Sequence, residues 1–474
     1  MTQLSNMAPE QKGLALPAID GELMREAAES YLGNPVFRAA RYEELILDDN
    51  PYRRPVRPGD IGLVDFSAPL SRADYAQLSG LMGHRMLLNI YDAGKLLLPR
   101  RPTAEKWRDY EQFYAERSRF LGDLIRPYLE THLFGFVRAG ARRPEALTAA
   151  RAIGRAREIT GDRSRQADEL RAVVTSSPSR DAMIEMLAIQ TVATSLNMGL
   201  QPGAALRELV GAGGMGHLPG PLSTAAGSDL LLRRVADSSG IKFEPHSYYQ
   251  YYLPSTLALM NYVNGGARDP GRVFALAGAL VMQSAEAYAL QDALQPALAE
   301  RLGGGSGPGR LPARSSADGE SRSPESVVGL VERVGGEFGL AEFFRGMEEY
   351  AVLLDVHHDE RMRQFAWISA MPAYVEKARR LQAAIGEHGL TVDLDTFVES
   401  SEECSTTHVH DEDRLLVIES GEMEFWNCFG MRHRFRPGDV TFIPRHHLHG
   451  SVVLTGECVY HQPVITGELD RRFG

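Results

Sequence analysis

"TTHVHDEDRLLVIESGEMEFW", residues 406 to 426, decides the fold of the last part of this chain. Apolar and polar residues alternate along it, as half-buried strands require, because successive side chains of a strand point to opposite faces. The same rule sends His408 and His410 to one face with Val409 on the other, which suits two imidazoles converging on one ion. Further period-two segments surround it. Strands are expected at 406–410, 414–418, 422–427, 433–435, 440–443, 450–454 and 457–463, separated by turn signals such as "ESGE" and "RPGD". Seven short strands in this space predict a small antiparallel barrel or a double-sheet jelly roll. A metal would need a third ligand, and "FRPGDVTFIPRHHLHG" (435–450) offers His446, His447 and His449.

Upstream of residue 390 the period is that of helices. "DYEQFYAERSRFLGDLIRPYLETHLFGFV" (109–137) repeats apolar residues at three- and four-residue spacing, and β-branched alternation is scarce from about residue 20 to 300. "DDNPYRRPVRPGD" (48–60) reads as a loop because its prolines remove backbone donors. Residues 303–325, "GGGSGPGRLPARSSADGESRSPE", are low in complexity and are expected to form a flexible insert. Helical periodicity then returns up to about residue 388. His357 and His358 fall in that stretch; adjacent helical positions diverge by about 100°, so they are expected on solvated surface and not on a shared metal.

The chain has 474 residues, so two or three domains are expected, and its net charge of −11 argues against nucleic acid as a partner. Cys404, Cys428 and Cys458 are its only cysteines, an odd and sparse set that argues against a disulfide framework and for a reducing compartment. The first residues lack a basic stretch followed by an apolar one, and no window reaches the roughly 18 to 20 apolar residues of a membrane span. The expectation is a cytoplasmic protein.

The two histidine-bearing segments resemble the two signature motifs of the cupin family. After the His-X-His pair, Arg414 stands where that family has a Glu, and Gly421 lands in register. In the second motif Gly438, Pro444 and His449 match, while His446 replaces the usual Gly. The resemblance implies a metal set of His408, His410 and His449. Three neutral imidazoles suit Fe, Zn, Cu or Ni. Arg414 beside such a site would orient a substrate carboxylate or cap a strand edge.

A wider resemblance rests on "DNPYRR" (49–54), "YYQYYLPSTLALMNY" (248–262), "GMEEYAVLL" (346–354), Ala366-Trp367 with Pro372, "THVHD" (407–411), "RHHLHG" (445–450) and "ECVY" (457–460). In order and spacing these are similar to the three-domain N-nitrosourea-forming metalloenzymes of streptozotocin biosynthesis. The resemblance implies an α+β multidomain fold: a helical N-terminal dimerisation domain (1–135), a haem-oxygenase-like all-α central domain (136–388) and a C-terminal cupin β-barrel (389–474). It implies a homodimer, Fe(II) on the three histidines, and Tyr460 as a catalytic tyrosine facing them. The substrates it implies are an N-hydroxylated, arginine-like guanidine and O₂, rearranged to an N-nitroso product.

The family's central domain also carries a diiron site, and here the resemblance stops. The corresponding positions fall near Ser195, Ala212, Leu222 and Ser284, with the last ligand helix replaced by the insert. Glu286 alone offers a nearby carboxylate, too little for two cations, so the diiron centre is expected to be absent. Two other readings stand beside the iron enzyme: a zinc cupin joining an N-hydroxyamine to an amino acid as a hydrazine, and a non-catalytic partner of an active homologue.

Overall fold

The structure, a computed structural model, describes residues 21–37, 50–54, 56, 58–64, 68–99, 101–142, 147–198, 202–214, 219–223, 230–241, 248–302, 323–390, 392–401 and 404–474. Of the expected insert, residues 303–322 lie outside the described residues. The helices are α1 (Gly21–Leu32), α2 (Leu78–Asp92), α3 (Ala104–Phe113), α4 (Glu116–Gly140), α5 (Ala149–Ser176) and α6 (Arg180–Met198). They continue with α7 (Pro202–Ala212), a single turn at Gly220–Ser223, α8 (Leu230–Ser238), α9 (Pro254–Arg268), α10 (Val273–Arg301), α11 (Glu325–Ser369), α12 (Met371–Glu387) and, after the strands, α13 (Gly467–Phe473).

Local sequence explains these elements. Thr148 caps α5 by accepting from the backbone N of Arg151 at 3.3 Å. That helix then buries Ala152, Ala156, Ile159, Arg163, Ala167, Leu170 and Val174, one stripe at three- and four-residue steps. Helices α10 and α11 make the most extensive helix pair. They approach closely because Gly278 and Gly346 face them; a Cβ on either would lie 2.1 Å from Phe343 O or 2.0 Å from Ala275 O. Helix α11 is interrupted at Gly336, with φ 54° and ψ −142°.

Packing overturns two expectations. His357 and His358 are 5% and 6% exposed and not on solvated surface. Helix α11 runs between α5, α9 and α10, which leaves its middle only a narrow outer stripe through Asp355, Asp359 and Arg363. The two rings do diverge: His357 Nδ1 lies 2.7 Å from Ser255 Oγ and His358 Nε2 lies 3.1 Å from Glu169. One segment, Pro270–Arg301, is also long and apolar enough to cross a membrane, contrary to the reading from sequence. Its most apolar window is 78% buried inside the protein, because α10 is wrapped by its neighbours rather than by lipid.

Two four-stranded antiparallel sheets follow the helices, in the orders β1-β8-β3-β6 and β2-β7-β4-β5. The strands are β1 (Thr396–Ser400), β2 (Cys404–His408), β3 (Arg414–Ser420), β4 (Met423–Cys428), β5 (Met431–Phe435), β6 (Val440–Ile443), β7 (His449–Val453) and β8 (Glu457–His461). Seven of them overlap the period-two segments. Strand β1 was missed, because "TFVES" turns Val398 outward at 59% exposure and has no apolar face to announce it. Cys428 and Cys458 are buried free thiols.

The apolar core is continuous between the two parts of the molecule. One cluster runs from Met24 in α1 to Ile368 in α11 and takes in Val409, Trp426, Cys428, Leu448 and Val452. A second joins Trp367 and Met371 to Phe425, Ile443 and Tyr460 between the sheets.

Candidate metal centre

His408 ends β2 and lies directly opposite His449, which opens β7. Residues paired across antiparallel strands have neighbouring side chains, so this register alone brings the two rings together; their centroids are 4.5 Å apart. His410 lies just past the end of β2, contrary to the expected strand 406–410. It nevertheless stays on the same side, 4.8 Å from His408 and 5.0 Å from His449. The ligand atoms of the three histidines all lie within 4.8 Å of one another. Among the described residues this is the one group of three or more His, Cys, Asp or Glu side chains with such spacing.

Hydrogen bonding fixes which nitrogens face inward. His449 Nδ1 is 2.8 Å from the carbonyl of His447, so Nδ1 carries the proton and Nε2 the lone pair. The Nε2 atoms of His449 and His410 are buried and without a hydrogen-bond partner. Burial, and then the charge that neighbouring His449, His408 and Arg414 would add, push the His410 imidazole far below its usual range. His449 is lowered in the same way, by burial first and then by His408. Neutral rings with unsatisfied, convergent lone pairs are what a divalent metal binds. The residues present therefore fit one metal ion. Phe425 stacks on the His449 ring at 5.6 Å and Trp367 meets it edge-on at 6.2 Å, closing one wall with apolar surface.

The remaining residues singled out in the sequence take different places. Tyr460, 4% exposed, lies in the apolar cluster of Trp367 and Phe425 and stacks on Phe397 at 5.2 Å. Arg414 pairs with Asp395, donates to Gln462 O at 3.4 Å and lies 3.7 Å from Glu412, while its Nε has no partner. His446, at the usual glycine position, has φ 59°, the left-handed conformation that favours glycine there. His447 is occupied on both nitrogens by the carbonyls of Arg445 and Arg363, at 2.7 and 3.2 Å. His461 bonds Glu419 and Thr396 at 2.8 and 2.9 Å, and His433 stacks on Phe435.

The positions at which the resemblance implies a second metal site look unlike one. Ala212 and Leu222 have no ligand atom, and the Ser284 hydroxyl donates to Pro221 O; the Ser195 side chain lies outside the described residues. Glu286 is held by the Arg361 guanidinium at 2.5 Å, both nearly fully buried. A carboxylate neutralised by a guanidinium cannot also neutralise two cations, so these residues do not fit a two-iron site.

Aligned with characterised proteins, the chain is 26% identical over 456 residues to the nitrosourea synthase of Streptomyces achromogenes subsp. streptozoticus, covering 93% of this chain and 95% of that enzyme. The chain is a homologue of nitrosourea synthase. No family model matches it. A nitrosourea synthase homologue alignable along almost its entire length is an enzyme, and its three-histidine group is consistent with a metalloenzyme.

Sequence reasoning missed the residues that this homologue supplies from its helices. Gln364 and Trp367 of α11 and Gln250, in the turn before α9, reach the histidine strands. Gln250 and Trp367 lie within quoted motifs, but nothing in those motifs says which strand they meet.

Proposed function

We propose that the chain is a non-haem iron enzyme of the cupin type that forms an N–N bond in natural-product biosynthesis. Its reaction is the O₂-dependent oxidative rearrangement of an N-hydroxylated, methylarginine-like guanidine to an N-nitroso product. The observation that carries this reading is the convergence of His408 with the buried, unpartnered Nε2 atoms of His410 and His449, in a homologue of nitrosourea synthase. Bound there, Fe(II) supplies the redox and O₂-binding chemistry.

The chain's own residues do the rest. The three neutral imidazoles leave coordination positions open for small ligands. Phe425 and Trp367 exclude water from one side of His449. Arg414, with two arms fixed by Asp395 and Glu412 and Nε unpartnered, orients the carboxylate of the amino-acid substrate, and Tyr460, in the same sheet as Arg414 and opposite the sheet of His408 and His449, is the polar handle. The helical part serves as scaffold without a diiron centre, so a separate oxygenase supplies the hydroxylated guanidine. The three-domain division at residues 135 and 388, the homodimer and the cytoplasmic location complete the proposal.

The test is anaerobic Fe(II) reconstitution, then O₂ and N-hydroxylated methylarginine, with mass spectrometry of the product. One iron per chain and an N-nitroso product that disappears in His408→Ala support the reading. One bound iron without product overturns it. Retention of zinc with O₂-indifferent hydrazine formation would favour zinc chemistry instead. Hydroxylation of free N-methylarginine at more than one iron per chain would overturn the scaffold role.

A further inference from the structure

A feature independent of the imidazoles links all three histidine segments: the residue next to each histidine is tied to the helical part. Thr407 directly precedes His408. Its backbone N donates to Gln250 Oε1 at 3.0 Å and its hydroxyl lies 2.8 Å from the same oxygen. Arg85 of α2 donates to that hydroxyl at 3.1 Å. Leu448 directly precedes His449 and is clamped on both sides by Gln364: its N donates to Oε1 at 3.0 Å and its carbonyl accepts from Nε2 at 2.9 Å. Gln364 Nε2 also reaches Asn427 O at 2.7 Å. Asp411, directly after His410, accepts from the backbone N of Leu78 at the start of α2, at 2.8 Å.

These amides are costly choices for mere packing. Gln250 and Gln364 are 3% and 1% exposed, and a buried amide is tolerated only where its bonds are made. Each spends bonds on the residue immediately before a histidine. Gln364 holds the Leu448 carbonyl, in the peptide plane from which the His449 Cα departs, while Gln250 holds the N and hydroxyl of Thr407 and so places the residue from which His408 extends. Trp367, one helical turn beyond Gln364, then packs on the rings of both His447 and His449. The sheets bring His408 opposite His449, and the His447 carbonyl turns the His449 ring; the backbone that carries both rings is held from outside the sheets.

The geometry points to Gln250 and Gln364 as positioning residues through which the helical part sets the metal-binding geometry of His408 and His449. This rests on the three histidines being a metal site. It gives the long helical segment a role in the reaction that needs no second metal.

The experiment titrates the full-length, metal-free protein with Co(II), reading affinity and the visible absorption of the bound ion, alongside thermal unfolding without metal. Gln250→Met and Gln364→Met keep volume and remove the bonds. Each is expected to weaken Co(II) binding roughly 10- to 100-fold and to alter the absorption, as loss of outer-shell support does. Tyr350→Phe is the control: it deletes a buried hydrogen bond from Tyr350 of α11 to Gln283, and should lower the melting temperature without touching Co(II) binding. Glutamine variants that melt early but bind Co(II) with wild-type affinity and spectrum overturn the inference. If the methionine variants do not fold, Gln364→Glu keeps the acceptor for Leu448 and loses both donated bonds; wild-type binding by that variant overturns it equally. Failure of the wild-type protein to bind Co(II) through nitrogen ligands removes the metal site itself, and the inference with it.

Discussion

The helical interior and the space between the sheets both bury ionisable side chains, but they treat them in opposite ways. In the helices the buried carboxylates face donors: Glu286 meets Arg361, Glu348 meets Arg155 at 2.6 Å, Glu349 meets Tyr262 at 2.7 Å, and Asp92 lies between Arg54 and Lys95 at 2.8 and 2.9 Å. Single buried nitrogens without a partner occur in the helices too, as at His84 Nε2 and His358 Nδ1, but among the described residues three ligand atoms converge only at the sheets, on His408, His410 and His449. A buried polar group that is satisfied holds the fold together, whereas a cluster left unsatisfied asks for a ligand. The contrast shows which of the two regions is built to receive a metal.

The sharpest way to break it is His449→Ala. Losing a ligand should cost Fe(II) affinity more than the roughly 10- to 100-fold typical of outer-shell losses, so iron per chain measured by elemental analysis should fall to near zero. An iron content that stays at the wild-type level would mean that metal binds elsewhere.

Arg361→Met tests the helical side. Leaving Glu286 charged and unpaired inside the protein should cost about 3–5 kcal/mol in denaturant unfolding, and Glu286→Met in the same chain should recover most of it. Iron content should not change. A variant that instead gains iron at Glu286 would erase the distinction between the regions.

Acid should also separate them in the metal-free protein. His84, fully buried in α2, is pushed down to about 3, by burial first and then by the charge of His132. Its folded value is below its unfolded one, so the unfolded chain binds the extra proton. Stability is therefore complete above about pH 6.5 and falls toward pH 3, by at most about 1.4 kcal/mol per pH unit for this one residue. His84→Gln should flatten that part of the unfolding profile; an unchanged slope would show that His84 is protonated equally in both states.

The smallest effect is expected on the outer surface of the sheets. Arg434 pairs with Glu422 while remaining 57% exposed, and Arg434→Ala should change stability by no more than about 1 kcal/mol, with metal binding unaffected. A larger loss in denaturant unfolding would show that the outer ion pairs help hold the sheets.

Much of this was legible in the chain itself. The short β-branched and aromatic runs "RLLVIES" and "MEFWNC", parted by the turn signal "ESGE", announced β3 and β4, and the two motif registers picked out His449 from a run of three nearby histidines. Strand β1 was not legible, because its half-buried face holds one apolar side chain, Phe397, beside Glu399. His357 and His358 were misjudged because the wet side of α11 is a narrow stripe through Asp355, Asp359 and Arg363, and local pattern does not show that both histidines lie off it.

Side-chain period and motif spacing are properties of neighbours along the chain, so the change from helix to strand after residue 390 and the three histidines as candidate ligands could be read directly. That Gln250 and Gln364 meet Thr407 and Leu448, and that Arg361 meets Glu286, came only with the packed fold. Those partners lie 157, 84 and 75 positions apart, and at such separations it is the packing of whole elements, not local pattern, that chooses which side chains meet.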